Sequence, residues 1–273
     1  MKRTTRFEVP FETRHFTPFQ LQTKALCEIA NSGWSRWLKA HMIPFPQLIK
    51  QHRVSFVIAG LKLNYLHPLT FFDADSLEAT FAPTVRAGGK MIVWDIDFAA
   101  NDHQVAQARF ATIPVLIRDE MLSALPGLLP DTVYQQFTPE ECLPDRPKRY
   151  VGELVQSIEE NGRYLTSGTH PIFLHRHVCE VADQWSYTEL TSHAAGSREM
   201  LALQQGQAFP DLIHGLSQPL RQVDAELARP YYAFDDGSVE SKAYCYEGRL
   251  TLVHRLFCDV GPGLPHAVVV EQF

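Results

Sequence analysis

One stretch of this 273-residue chain is written twice. It reads LNYLHPLTFFD from Leu63 to Asp73 and AELARPYYAFD from Ala225 to Asp235. Pro68 and Pro230 lie 162 positions apart, and so do Asp73 and Asp235. A duplication constrains a fold strongly, because each copy must be one supersecondary unit that buries its apolar face against its sibling. The offset extends upstream, where Arg14 and His15 of FETRHF meet Arg176 and His177 of FLHRHV. After each pair comes a short loop and then a helical pattern. Leu21, Ala25, Ile29, Ala30, Trp34, Trp37 and Leu38 recur at helix spacing in the first copy; Ala194, Ala195, Met200 and Leu203 do so in the second. Each helix contains a glycine, Gly33 and Gly196, one place out of register. A mid-helix glycine costs about 1 kcal/mol relative to alanine. Both glycines are therefore expected to mark a close approach to a sheet.

Strand patterns follow each helix. Two of them are joined by tight turns at Gly88-Gly89 in the first copy and Glu247-Gly248 in the second. A last strand closes each copy, VAQARFATIPVLI and PHAVVVEQF. Each copy thus reads strand, loop, long helix, four strands. That order predicts an α+β arrangement, an antiparallel sheet with a helix on one face. A lone sheet of this kind would leave an edge open, and two could join side by side into one continuous sheet. The predicted units are 1–120 and 161–273. The proline- and charge-rich segment 121–160 reads as a connector.

Composition narrows the function classes. The apolar fraction of 45% and charged fraction of 21% are those of a soluble globular protein. The net charge of -6 gives no support for nucleic-acid binding. No apolar run is long enough to span a membrane, and the opening MKRTTRFEVPFETRHF, with no apolar segment after its basic residues, is not expected to act as a secretory signal. Cys27, Cys142, Cys179, Cys245 and Cys258 are scattered, with no CxxC pair, so neither a disulfide framework nor a metal site is indicated. A cytoplasmic location is expected.

The segment Phe7 to Thr80, with TRHFTPFQLQTKALCEIANSGWSRWLKAH and then FFDADSLEATF, resembles the N-terminal half of plant and bacterial acyl-ACP thioesterases. The second copy resembles a 4-hydroxybenzoyl-CoA-type thioesterase unit. The resemblance implies two tandem hotdog units, each a long central helix wrapped by an antiparallel sheet, joined as a covalent pseudo-dimer. It further implies a carboxylate in the loop before a central helix, with the helix N-terminus facing the developing oxyanion.

The first copy has HFTPFQLQTK in that loop and no acid. The second has HVCEVADQWSYTE, which retains Glu180 and Asp183 but lacks the family's glycine, histidine and paired asparagines. Glu180 or Asp183 is the candidate base or nucleophile. Against this, Asp183 or Ser186 could cap the helix and leave Glu180 solvated. His177 is a second candidate, with His193 behind it. Glu28, on the first central helix, is the alternative carboxylate. Trp185, Ser186, Tyr187 and Arg176 are candidate substrate contacts; Trp34, Trp37, Trp185, Tyr231 and Tyr232 could line a pocket, with core packing the ordinary reading for Trp34 and Trp37. Arg14, Arg176 and Arg221 could meet coenzyme A phosphates.

These readings favour hydrolysis of an acyl-CoA or acyl-ACP thioester. Coenzyme A or phosphopantetheine would enter as part of the substrate, and no separate cofactor is expected. Rival readings are acyl transfer, dehydration of a 3-hydroxyacyl thioester by His177 with Glu28, and non-catalytic thioester binding. Acyl-CoA or an acyl carrier protein is the expected partner, with a homodimer of pseudo-dimers as a further assembly.

Overall fold

The computed structural model describes residues 2–118, 124–259 and 263–273. The chain runs β1 (Thr5–Pro10), a 3-10 turn (Thr13–His15), α1 (Thr23–His41), α2 (Phe45–His52), β2 (Val54–Tyr65), β3 (Ser76–Arg86), β4 (Met91–Ala100), β5 (His103–Ile117), β6 (Ala124–Pro126), α3 (Asp131–Tyr134), β7 (Cys142–Leu143) and α4 (Val151–Asn161). It continues through β8 (Arg163–Phe173), a 3-10 turn (Arg176–Val178), α5 (Tyr187–Gln205), α6 (Pro210–Leu216), β9 (Gln222–Leu227), β10 (Asp236–Tyr246), β11 (Arg249–Cys258) and β12 (Ala267–Gln272). Each copy is strand, long helix, short helix, four strands. The short helices α2 and α6 were not anticipated by the sequence reading.

The strands form one sheet in the order β1-β3-β4-β5-β2-β9-β12-β11-β10-β8. The two halves join where β2 pairs antiparallel with β9. Gly60 faces Glu226, Lys62 faces Asp224 and Asn64 faces Gln222. Lys62 and Asp224 are 162 residues apart, so the pairing is symmetric about them. The offset read from the sequence is therefore the signature of a pseudo-two-fold axis through this pair. Two long helices against one continuous antiparallel sheet, related by such an axis, make a double hotdog.

The repeated stretch has a local cause. Asp73 accepts from the backbone N–H of Thr70 at 2.6 Å, and Asp235 accepts from that of Tyr232 at 2.8 Å. Leu69 and Tyr231 offer their carbonyls to Leu21 N–H at 2.8 Å and Trp185 N–H at 3.0 Å. The duplicated turn thus holds the loop before each central helix. The Arg-His match slips by one residue, because the 3-10 turns are 163 apart rather than 162. The counterpart of His15 is Val178. His15 is buried and its Nδ1 accepts from Glu12 N–H, whereas His177 is exposed and stacks on His175.

The helices start 164 apart, at Thr23 and Tyr187. In α1 the glycine expectation holds: a Cβ on Gly33 would stand 1.9 Å from Cζ of buried Phe81. In α5 it fails. Gly196 is exposed with open space around it, and Ser197 takes Gly33's place. Met200 and Leu203, expected on the apolar face, point to solvent. The buried face of α5 is instead Tyr187, Leu190, Ala194, Ser197 and Leu201, at heptad spacing.

A polar chain explains that substitution. Ser197 Oγ lies 2.7 Å from Ser241 Oγ, which lies 2.6 Å from Nδ1 of His254. His254 Nε2 is 3.3 Å from Glu271, and Arg198 donates to both Glu271 oxygens at 2.8 Å. By the strand pairings, Ser241, His254 and Glu271 occupy the places of Phe81, Ile96 and Phe110. One unit packs its helix on rings; the other packs it on a hydrogen-bonded relay.

The segment between the units is more ordered than a plain connector. β6 pairs with β5, β7 runs parallel to β3, and Arg3 clamps the buried Glu141 at 2.6 Å. α4 covers the outer sheet face with Val151, Val155 and Ile158 against Tyr244, Val253 and Val270. That second cover is why Leu250–His254 in β11 are all buried rather than alternating.

Candidate active site

A cavity of about 290 Å³ opens at the N-terminus of α5, between the two units. Strands β2 and β5 of the first unit contribute Phe56, Ile58, Ile113 and Val115, and α1 contributes Trp34. The second unit contributes Glu180, Gln184, Trp185 and Tyr187, with Arg229 and Tyr232 from the repeated stretch. The walls are mainly apolar and aromatic, with a few polar groups, as in small-molecule sites generally.

Trp34 packs on Trp94 and Tyr187 at centroid distances of 6.1 and 5.7 Å, and Tyr187 meets Phe110 edge-on. The Tyr187 hydroxyl donates to the Cys27 carbonyl at 2.7 Å. That bond ties the first residue of α5 to α1 across the unit boundary. Trp185 is buried and tilted over Tyr231 at 4.6 Å. His193 stacks behind Trp185, and burial lowers its pKa.

Among the described residues lining this cavity, Glu180 is the only acid and Arg229 the only base. Desolvation raises the pKa of Glu180, opposed by a hydrogen bond from Ser186. The residue as a whole keeps substantial contact with solvent, so this desolvation is partial. Its backbone is fixed by Glu180 N–H to the Gln184 carbonyl at 2.6 Å. Ser186 is the N-cap residue of α5, but its hydroxyl contacts Thr188 Oγ1 at 3.0 Å rather than a backbone N–H. The first-turn N–H groups of Tyr187 and Thr188 precede the intrahelical ladder, as at any helix start. Of these two residues, Tyr187 lines the cavity.

The other predicted residues lie elsewhere. Asp183 is exposed, with φ at +53°, and forms a two-pronged surface pair with Arg176 at 3.1 Å. It does not cap the helix. Arg176 also covers the ring of Phe234. Neither residue, nor His177, lines the cavity. Glu28 is half-exposed on α1, 4.0 Å from Lys24. The pairing of His177 with Glu28 is not assembled at this cavity. The reading from sequence missed Arg229 and the apolar wall from β2 and β5. Arg229 stands inside the repeated stretch and was the legible signal; the strand residues become neighbours of α5 only through the β2–β9 junction.

No protein-family model matches the chain, and no curated protein sequence does so. Solved structures do match over nearly its whole length. A protein of Lactobacillus plantarum assigned as an oleoyl thioesterase aligns with a TM-score of 0.70 at 10% identity, covering 99% of this chain and 96% of its own. A 12:0-ACP thioesterase from Umbellularia californica gives 0.68 at 10% identity, with 98% and 93% covered. An acyl-ACP thioesterase from Bacteroides thetaiotaomicron gives 0.66 at 9% identity, with 99% and 97% covered. The chain shares the full double-hotdog fold of these proteins.

Proposed function

We propose that this protein hydrolyses an acyl thioester in the cavity at the N-terminus of α5. The observation that carries the reading is the placement of Glu180, the one carboxylate among the described residues lining the cavity, in the loop that delivers the chain into that helix. Glu180 removes a proton from water as oxygen adds to the thioester carbonyl carbon. The Tyr187 N–H at the start of α5 receives the developing oxyanion, aided by the positive end of the helix dipole. Collapse of the tetrahedral intermediate breaks the C–S bond. The protonated Glu180 returns its proton to the departing thiolate, giving a free thiol and a carboxylic acid. Trp34, Phe56 and Ile58 receive the acyl or aryl group. Arg229, at the mouth, suits a phosphate of coenzyme A or phosphopantetheine.

The shared fold with acyl-ACP thioesterases supports this reading without carrying it, since one fold hosts many activities. The test is free-thiol release from a panel of acyl-CoA and acyl-carrier-protein substrates. Glu180→Gln should lower turnover at least about a hundredfold, the scale of a lost general base, while Asp183→Asn leaves it near wild type. Equal activity of both variants would refute the role given to Glu180.

A further inference from the structure

A second cavity, of about 600 Å³, opens at the N-terminus of α1. It is the pseudo-symmetric counterpart of the Glu180 cavity. Thr17, Gln20, Leu21 and Thr23 take the places of Glu180, Gln184, Trp185 and Tyr187, and Arg198 takes that of Trp34. The exchange removes the pre-helix carboxylate; Glu199 also lines the cavity but is largely exposed and pairs with Arg198 at 3.7 Å. The Thr17 hydroxyl is spent inside its own turn, on the Gln20 carbonyl and the N–H groups of Phe19 and Gln20. Glu271 lines the cavity but is held by both Arg198 and His254, which keeps its carboxylate ionised and a poor base.

What remains has the features of a binding site. Gln20 lines the cavity and is only 5% exposed, and its Oε1 has no hydrogen-bond partner. A buried acceptor without a donor is costly, so it calls for an N–H or O–H from a ligand. The first-turn N–H groups of α1, a 19-residue helix, supply donors beside it. Phe19 and Ile213 are large apolar residues left nearly half exposed at this cavity, with Ala195, Ala202, Leu216 and Phe273 alongside. The ligand must therefore offer a carbonyl, an N–H or O–H, and an apolar tail.

We infer that this cavity is a second, non-hydrolytic site for an acyl-pantetheine arm, with an amide N–H on Gln20 Oε1, a carbonyl at the α1 N-terminus and the tail along Ile213 and Leu216. The ligand class rests on the thioester reading of the first cavity; the site itself rests on Gln20 and the asymmetry between the two cavities. The probe is dodecanoyl-pantetheine in which nitrogen replaces the thioester sulfur, titrated calorimetrically into the full chain. Wild type should bind two equivalents. Gln20→Leu should weaken one of them about tenfold, the scale of one hydrogen bond, and leave thiol release from substrate unchanged. Ala195→Trp, which fills the second cavity, should leave one equivalent, and Ile58→Trp, which fills the first, should leave the other. Circular dichroism confirms that each variant is folded. One equivalent lost to Ala195→Trp but untouched by Ile58→Trp would sustain this site while refuting the thioester reading of the first. A stoichiometry or affinity unaltered by both Gln20→Leu and Ala195→Trp, or no binding at all, would overturn the inference.

Discussion

Gly33 and Gly196 sit in the two central helices, yet replacing each by alanine should shift stability in opposite directions. Alanine in a helix interior gains about 1 kcal/mol over glycine. At Gly196 nothing lies within 4 Å of the added carbon, so the full gain of about 1 kcal/mol should appear. At Gly33 the added carbon falls 1.9 Å from Phe81 Cζ and 2.3 Å from two further ring atoms. Phe81 is fully buried and stacked on Phe7, so the ring has nowhere to turn and α1 must lift off the sheet. Overpacking of that kind costs about 1–3 kcal/mol, and an overlap this deep belongs at the upper end. Net of the propensity gain, Gly33→Ala should destabilise by about 2 kcal/mol, leaving the two variants about 3 kcal/mol apart. Urea unfolding followed by far-UV circular dichroism reads this as midpoints on either side of wild type at unchanged slope. A Gly33→Ala variant as stable as wild type would refute the α1–sheet contact. A destabilised Gly196→Ala would refute the helix register that puts Ser197, not Gly196, against the sheet.

Other outcomes follow from the charged groups. Because desolvation raises the Glu180 pKa above its ordinary 4.5, the acid limb of the thiol-release pH profile should lie above that value, and Glu180→Gln should abolish it. The same shift means that ionising Glu180 weakens the fold as pH rises, so Glu180→Gln should raise the melting temperature at neutral pH while lowering turnover. Glu271 shifts the other way, down to about 2, through its Arg198 and His254 partners acting against the burial that opposes ionisation. Its stabilising contribution is full above pH 4.5 and should be lost as pH falls toward 2. Glu271→Gln should flatten that acid limb and destabilise by about 3 kcal/mol, because it leaves Arg198, only 15% exposed, with no ionic partner but the more distant Glu199 at 3.7 Å. Arg229→Ala should raise KM for coenzyme A thioesters more than for short acyl-pantetheines lacking the phosphates; equal effects on both would remove Arg229 from phosphate recognition.

The sequence by itself determined the duplication, and with it most of the fold. Repeated turns need the same proline and aspartate, so Pro68, Asp73, Pro230 and Asp235 survive where side-chain identity elsewhere has drifted. Tight turns betray themselves through residues that accept positive φ, and Gly88-Gly89 and Glu247-Gly248 take it up as read. The pre-helix loop of the second copy, with Glu180, was legible because its first-copy counterpart carries no acid. Tertiary structure alone decided the rest. A helical pattern does not reveal which face will meet hydroxyls, so Ser197 was passed over and Met200 and Leu203 were placed inward. Their sorting depends on Ser241, His254 and Glu271, which arrive from three later strands. A one-residue difference in a turn moves His177 away from His15, and no spacing rule detects it. Asp183 and Glu180 stand three residues apart, yet one backbone at φ +53° sends Asp183 to Arg176 at the surface and leaves Glu180 lining the cavity. The cavity itself exists only because β2 and β9 pair about Lys62 and Asp224, which brings the first unit's apolar strands to the second unit's helix N-terminus.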